Sequence, residues 1–216
     1  MRIISGQLKS QKLIQPKNSL IRPTSDRSKE MIFSTLNSIL ENEDRRLEDL
    51  RVLDGFCGTG SLGIEALSRG ARSSTFVDNC KESLKLTMNN CKKLNLMKKS
   101  YFLNYDLTKK IKENKSFGLF FLDPPYKDEI INKSLELLFK KKWIINDSIG
   151  IIESSKDQEI EKFEFINIIK KKKNGYLKFF FYQSNLITSY QIAFQYHLFL
   201  AQHMLVFRGY IAQRMV

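Results

Sequence analysis

Histidine is nearly missing from this chain of 216 residues, and cysteine is sparse. The only histidines are His197 and His203, and Cys57, Cys80 and Cys91 form no C-x-x-C pair. The sequence therefore argues against a Cys/His zinc cluster, and no metal is expected. The first ten residues, MRIISGQLKS, lack the apolar stretch of a secretory signal. With an odd cysteine count, that absence points to a reduced, cytoplasmic protein. No internal repeat is present, which argues against a solenoid. Hydrophobic residues make up 42% of the chain, too many for a disordered one and enough for the core of one ordinary domain.

Acidic residues are the minority charge. There are 36 Lys and Arg against 23 Asp and Glu, a formal net charge of +13. Such an excess favours a polyanionic partner, most simply nucleic acid, with a solvated lysine-rich surface as the alternative. Residues 1–29 hold seven Lys/Arg and one Asp, so a basic arm opens the chain. The last stretch, residues 183–216, has no Lys, Asp or Glu, and only Arg208 and Arg214 are charged. Its uncharged run is long enough to span a bilayer, but its Asn, Ser, Thr, Gln and His residues would be costly in hydrocarbon. A packed or amphipathic helix is the expectation there, and no membrane association.

Residues 2–15 alternate loosely, as in a short hairpin. Pro23 and Thr24 mark a helix start, after which Met31, Ile32, Thr35, Leu36, Ile39 and Leu40 share one face. From Arg51 strands and helices alternate. The strands read RVLDGF, SSTFVD, SYFLNY, FGLFFLD and SIGIIES. The helices read SLGIEALSRG, KESLKLTMNNCKKLN (Leu84, Met88, Cys91 and Leu94 inward), a short one near LTKKIKE, and DEIINKSLELLFKKK. Apolar strands alternating with helices imply a mostly parallel α/β sheet covered on both faces. FEFINIIKKKK and YLKFFFY then form a hairpin about an Asn174-Gly175 turn. Three regions follow: a basic arm and helix (1–50), a catalytic domain (51–182) and an atypical tail (183–216).

The stretch VLDGFCGTGSLG contains Gly58, Gly60 and Gly63, a G-x-G-x-x-G pattern after a strand and before a helix. That pattern serves dinucleotide pyrophosphates. Here Asp54 ends the strand and three residues intervene before Gly58. An acid there repels phosphate and suits a cationic group such as the ammonium of an amino-acid moiety. S-adenosyl-L-methionine carries that ammonium, a sulfonium and no phosphate, so it is the expected cofactor; a glycine-rich turn with an acidic helix cap is the structural alternative. Asp78 closes the second strand and can accept from both ribose hydroxyls, each bond worth about 1.5–3 kcal/mol. Asp106, after the third strand, can accept from the adenine amino group. A helix cap is the alternative reading for Asp78, and an equal one for Asp106.

FFLDPPYKD places Asp123, Pro124, Pro125 and Tyr126 at the end of the fourth strand, where ligands of such sheets bind. An exocyclic base amine is a poor nucleophile because its lone pair is delocalised. Acceptors around its N–H groups localise that pair. Asp123 and the carbonyl of Pro124 can supply them, and the prolines fix them in place. Tyr126 can stack on an extruded base. A carboxylate is acceptor-only, which fits the adjacent N1–H and N2–H donors of guanine better than the donor–acceptor edge of adenine.

With these motifs in place, the chain resembles the bacterial 16S ribosomal RNA guanine-N2 methyltransferases. MRIISG, RPTSDRSKEMIFSTL, VLDGFCGTGSLGIEALSRGA, FVD and FLDPPY occur in that family's order, covering residues 1 to about 182. The resemblance implies a class I methyltransferase (Rossmann-like) fold: a seven-stranded sheet with a reversed last strand. It implies that Asp54, Gly58, Gly60, Asp78 and Asp106 surround S-adenosyl-L-methionine, and that Asp123 to Tyr126 surround the target base. Arg22, Thr24 and Arg27 are expected near the site or the RNA. The implied partner is 16S rRNA in an assembling small subunit, and the protein is expected to be a monomer. The tail has no counterpart in the family. Two competing readings are a DNA adenine-N6 methyltransferase and a non-catalytic RNA-binding assembly factor.

Overall fold

The computed structural model describes residues 1–16, 24–109, 111, 115–125, 128–155 and 163–184. The predicted tail helix lies outside them, as do Arg22 and Tyr126. Helix α1 spans Asp26–Asn42 and is followed by β1 (Arg51–Gly55), α2 (Ser61–Ser68), β2 (Ser73–Asp78) and α3 (Lys81–Lys93). Then come β3 (Ser100–Asn104), β4 (Phe117–Leu122), α4 (Asp128–Lys140), β5 (Ile144–Ser155), β6 (Ile166–Asn174) and β7 (Leu177–Ser184).

The seven strands form one sheet in the order β3-β2-β1-β4-β5-β7-β6. The first five run parallel, and β7 enters antiparallel between β5 and β6. This is the seven-stranded arrangement with a reversed last strand that the resemblance implied. The strand order reverses between β1 and β4, and a crevice opens at the carboxyl ends there, where such sheets bind ligands.

Two apolar layers cover the sheet, assigned by the alternation of side chains along each strand. Val52, Phe76, Leu119, Phe121, Phe179 and Phe181 face α1, α2 and α3. Leu53, Val77, Phe120, Leu122, Phe180 and Tyr182 face α4 and Trp143. The near-continuous apolar runs of β4 and β7 follow, since both faces of these strands are covered.

Five details differ from the sequence reading. Residues 2–15 make no hairpin ladder; one antiparallel bridge, Arg2 to Lys12, closes a turn-rich loop. Helix α1 begins at Asp26, because the Ser25 side chain accepts from the Ser28 amide at 3.0 Å and caps it. On α3 it is Thr87 that is buried, whereas Met88 is exposed. Residues 107–109 form a turn instead of a helix start. The β6–β7 turn is shifted by one residue: Asn174 pairs with Leu177, so Gly175 and Tyr176 make the loop. Gly175 takes φ 63°, the left-handed first position that two-residue hairpins favour.

The opening loop is part of the main core. Ile3 and Leu13 are buried. Glu65, fully buried on α2, accepts from the amides of Ile4 (2.8 Å) and Ser5 (3.0 Å) and from Arg69 Nε (2.8 Å). Buried Lys29 donates to the Arg2 carbonyl and lies 3.5 Å from Asp26. The loop therefore satisfies charges that α1 and α2 would otherwise bury alone.

Candidate active site

The loop after β1 is built around two carboxylates. Asp54 is 3% exposed, and its Oδ2 accepts from the Gly63 amide at 2.8 Å. Gly63 is the third residue of α2, so Asp54 satisfies one of the donors that a helix start leaves unpaired. Burial pushes its carboxyl up to about 8, against the Gly63 bond that lowers it and with Asp123 and Asp78 raising it further. Asp78, at the end of β2, accepts from the Gly58 amide through Oδ2 (3.0 Å) and from the Cys80 amide through Oδ1 (2.9 Å).

Between these anchors the loop adopts left-handed backbone at Phe56 (φ 59°), Gly58 (φ 53°) and Gly60 (φ 75°). Phe56 is a bulky residue in a conformation such residues avoid, a form of strain concentrated at functional sites. A Cβ on Gly60 would stand 2.5 Å from Thr87 Cγ2. Thr87 Oγ1 donates to the Gly58 carbonyl at 2.9 Å. Gly60 is therefore required for α3 to close on the loop, and it does not face the crevice.

The crevice holds about 760 Å³. Gly58, Asp78, Asp106, Asp123, Pro124 and Pro125 all line it, so four separate segments converge there. Asp106 Oδ1 accepts from Thr108 (amide 3.0 Å, Oγ1 2.6 Å), and its Oδ2 lies 3.1 Å from Lys109 Nζ. Those bonds, Thr108 first, hold its carboxyl below the usual carboxylate range. Asp54 and Gly60 lie beneath the wall instead of on it. Thr24 lines the crevice, whereas Arg27 lies on a separate surface with Arg2, Asp26 and Glu30.

Residues that sequence reasoning did not single out complete the wall. Glu153, 6% exposed on β5, and the β6–β7 turn both reach it. Asn174 Nδ2 donates to Ser28 Oγ at 2.9 Å, which ties the turn to the start of α1. Tyr176 beside it is 79% exposed. An aromatic next to a turn glycine was the available signal, but only the sheet order brings it to the end of β4. Among the described residues of the wall there are four carboxylates, Asp78, Asp106, Asp123 and Glu153, and no Lys or Arg. In a chain of net charge +13 this is a local inversion of sign.

The family model for Conserved hypothetical protein 95 matches residues 1–183. The chain belongs to this family. Ribosomal RNA small subunit methyltransferase D of Buchnera aphidicola is 34% identical over 83% of this chain and 91% of its own length. An uncharacterized methylase of Rickettsia prowazekii, RP545, is 32% identical over 82% and 95%. The solved yhhF protein of Escherichia coli superimposes with a TM-score of 0.74 at 25% identity, over 86% of this chain and 98% of its own. The fold of this Conserved hypothetical protein 95 member is that of the class I methyltransferases, and the resemblance to small-subunit rRNA methyltransferases read from its motifs is borne out. The matched region ends one residue before β7 does. Among the described residues there is no metal-binding cluster and no helix long and apolar enough to cross a membrane.

Proposed function

We propose that the protein transfers a methyl group from S-adenosyl-L-methionine to the exocyclic N2 of a guanine in 16S ribosomal RNA. The observation that carries this reading is a crevice at the carboxyl ends of the strands, with Asp123-Pro124-Pro125 on its wall and, among its described residues, four carboxylates and no cation. The names of the relatives support ribosomal RNA as substrate class. The base and atom rest on the acceptor-only chemistry of Asp123.

The wall fits this cofactor. Among the described residues of the wall a pyrophosphate would meet four acids and no cation, whereas a net cation is attracted. Asp78 would hold the ribose hydroxyls with the lone pairs left after its two backbone bonds. Asp106 would take the adenine end, and Gly58 would let the backbone approach. Bound there, the cofactor supplies a methyl carbon on a cationic sulfur, which leaves as a neutral thioether.

The chain's own residues do the rest. Asp123 accepts from N–H groups of guanine and keeps the N2 lone pair directed at the methyl donor; N2 gains the methyl carbon as the carbon–sulfur bond breaks, and then sheds one proton, for which Asp123 is the acceptor. The prolines fix that acceptor before the base arrives, so little reorganisation is needed during reaction. The base must leave its stack to reach the wall. The exposed Tyr176 on the wall, and Tyr126 of the motif, would hold its face. The test is the transfer of labelled methyl to undermethylated small-subunit rRNA, followed by nucleoside analysis. N2-methylguanosine supports the reading, and label on adenine N6 replaces it.

A further inference from the structure

The acidic crevice leaves a question of affinity. Binding to RNA draws largely on phosphate contacts by Lys and Arg, and the described crevice wall has none. A second concavity of about 760 Å³ lies at the opposite end of the sheet. It is formed where β1, β2, β4 and β5 begin, with Tyr101 of β3 on its rim.

Its lining has the opposite sign. Among the described residues, Arg45, Arg51, Arg72, Lys98 and Lys115 face it, with Asp49 as the one acid. Arg45 is committed to Glu43 (2.9 Å) and to the Asp147 carbonyl (2.7 Å). Asp49 is engaged by Arg46 at 3.4 Å. Arg51 donates to Ser116 Oγ at 2.5 Å, which sets its direction without neutralising it. Arg51, Arg72 and Lys98 have no acidic partner among the described residues. Tyr101 is 51% exposed, and Lys115 Nζ lies 5.5 Å from its ring centroid. Arg51, Arg72 and Lys98 beside an exposed aromatic form the combination that tracks a phosphate backbone and stacks a base.

We propose that this groove is a second RNA-binding site, which holds the ribose-phosphate backbone of the substrate while the crevice takes the base. It rests on the RNA reading of the crevice. A strand of five residues is about 17 Å long, so one RNA engages both ends only by passing around the edge of the sheet. The substrate is therefore a folded RNA that embraces the domain, and a short oligonucleotide reaches only one site.

The test uses the full chain with Arg72→Gln/Lys98→Gln, both exposed positions, and binding to 16S rRNA over a range of salt. As a control, Lys85→Gln/Lys92→Gln removes the same charge from exposed positions on α3. The groove pair is expected to lose tenfold or more in RNA affinity and to flatten the log–log salt slope by about 1.4–2. S-adenosyl-L-methionine affinity by calorimetry should be unchanged, which also verifies folding. Equal losses in the two pairs, or none, overturn the groove while leaving the RNA reading intact. A wild-type protein that neither binds nor methylates rRNA removes that reading and the groove with it.

Discussion

At the residue scale, two of the three aspartates on the crevice wall, Asp123 and Asp78, should separate binding from chemistry. Asp123 is assigned to the base, so Asp123→Ala should lower the methylation rate by about 10²–10³ while cofactor affinity persists. Asp78 anchors the loop and is assigned to the ribose, so Asp78→Ala should weaken the cofactor first. Calorimetry beside single-turnover rates distinguishes them, and parallel losses of affinity and rate in Asp123→Ala contradict its assignment. Asp54 makes a different prediction, about pH. Its carboxyl is raised from 3.8 to about 8 in the folded protein, chiefly by burial. Below both values it is protonated folded and unfolded alike. As pH rises between them, the unfolded chain ionises first, so this group's contribution to stability falls through that window and levels off above it. Asp54→Asn keeps an acceptor for the Gly63 amide and cannot ionise. Its stability relative to wild type should therefore be greater at pH 8 than at pH 5 by denaturant unfolding. A pH-independent difference would mean that Asp54 is not held protonated.

At the scale of elements, the opening loop, α1 and α2 act as one unit through buried charge. Glu65→Ala strands the amides of Ile4 and Ser5 and the Arg69 guanidinium, so a loss of about 3–5 kcal/mol is expected. Denaturant unfolding with the three free thiols kept reduced is the readout, and a loss below about 1 kcal/mol would show that the loop is only loosely attached. The element order was legible because strand and helix periods differ and because strands covered on both faces carry apolar runs. The inward face of α3 was not legible in full. Hydrophobicity selects Met88, but the bare face of Gly60 admits Thr87, whose hydroxyl meets the Gly58 carbonyl. A local backbone contact thus decided the helix rotation. The turn at Asn174 moved for a similar reason: Gly175 takes the left-handed position, and Asn174 stays paired in β6 and bonds to Ser28.

At the scale of the whole molecule, the fold sorts charge that the sequence presents as mixed. Acids gather at the carboxyl ends of the strands and cations at the amino ends. The motif acids were legible because each closes a strand. Glu153 and Tyr176 were not, because β7 lies between β5 and β6 and brings the hairpin turn beside β4 only after the sheet is formed. The basic groove was equally hidden, its cations being scattered from Arg45 to Lys115. The measurement that tests the central claim most directly is transfer of tritiated methyl from S-adenosyl-L-methionine to 16S rRNA, naked and within small subunits, with the product nucleoside identified. Labelled N2-methylguanosine, lost in Asp123→Ala, is the predicted result. No label in wild-type protein that binds the cofactor would contradict the claim and leave the crevice without its assigned substrate.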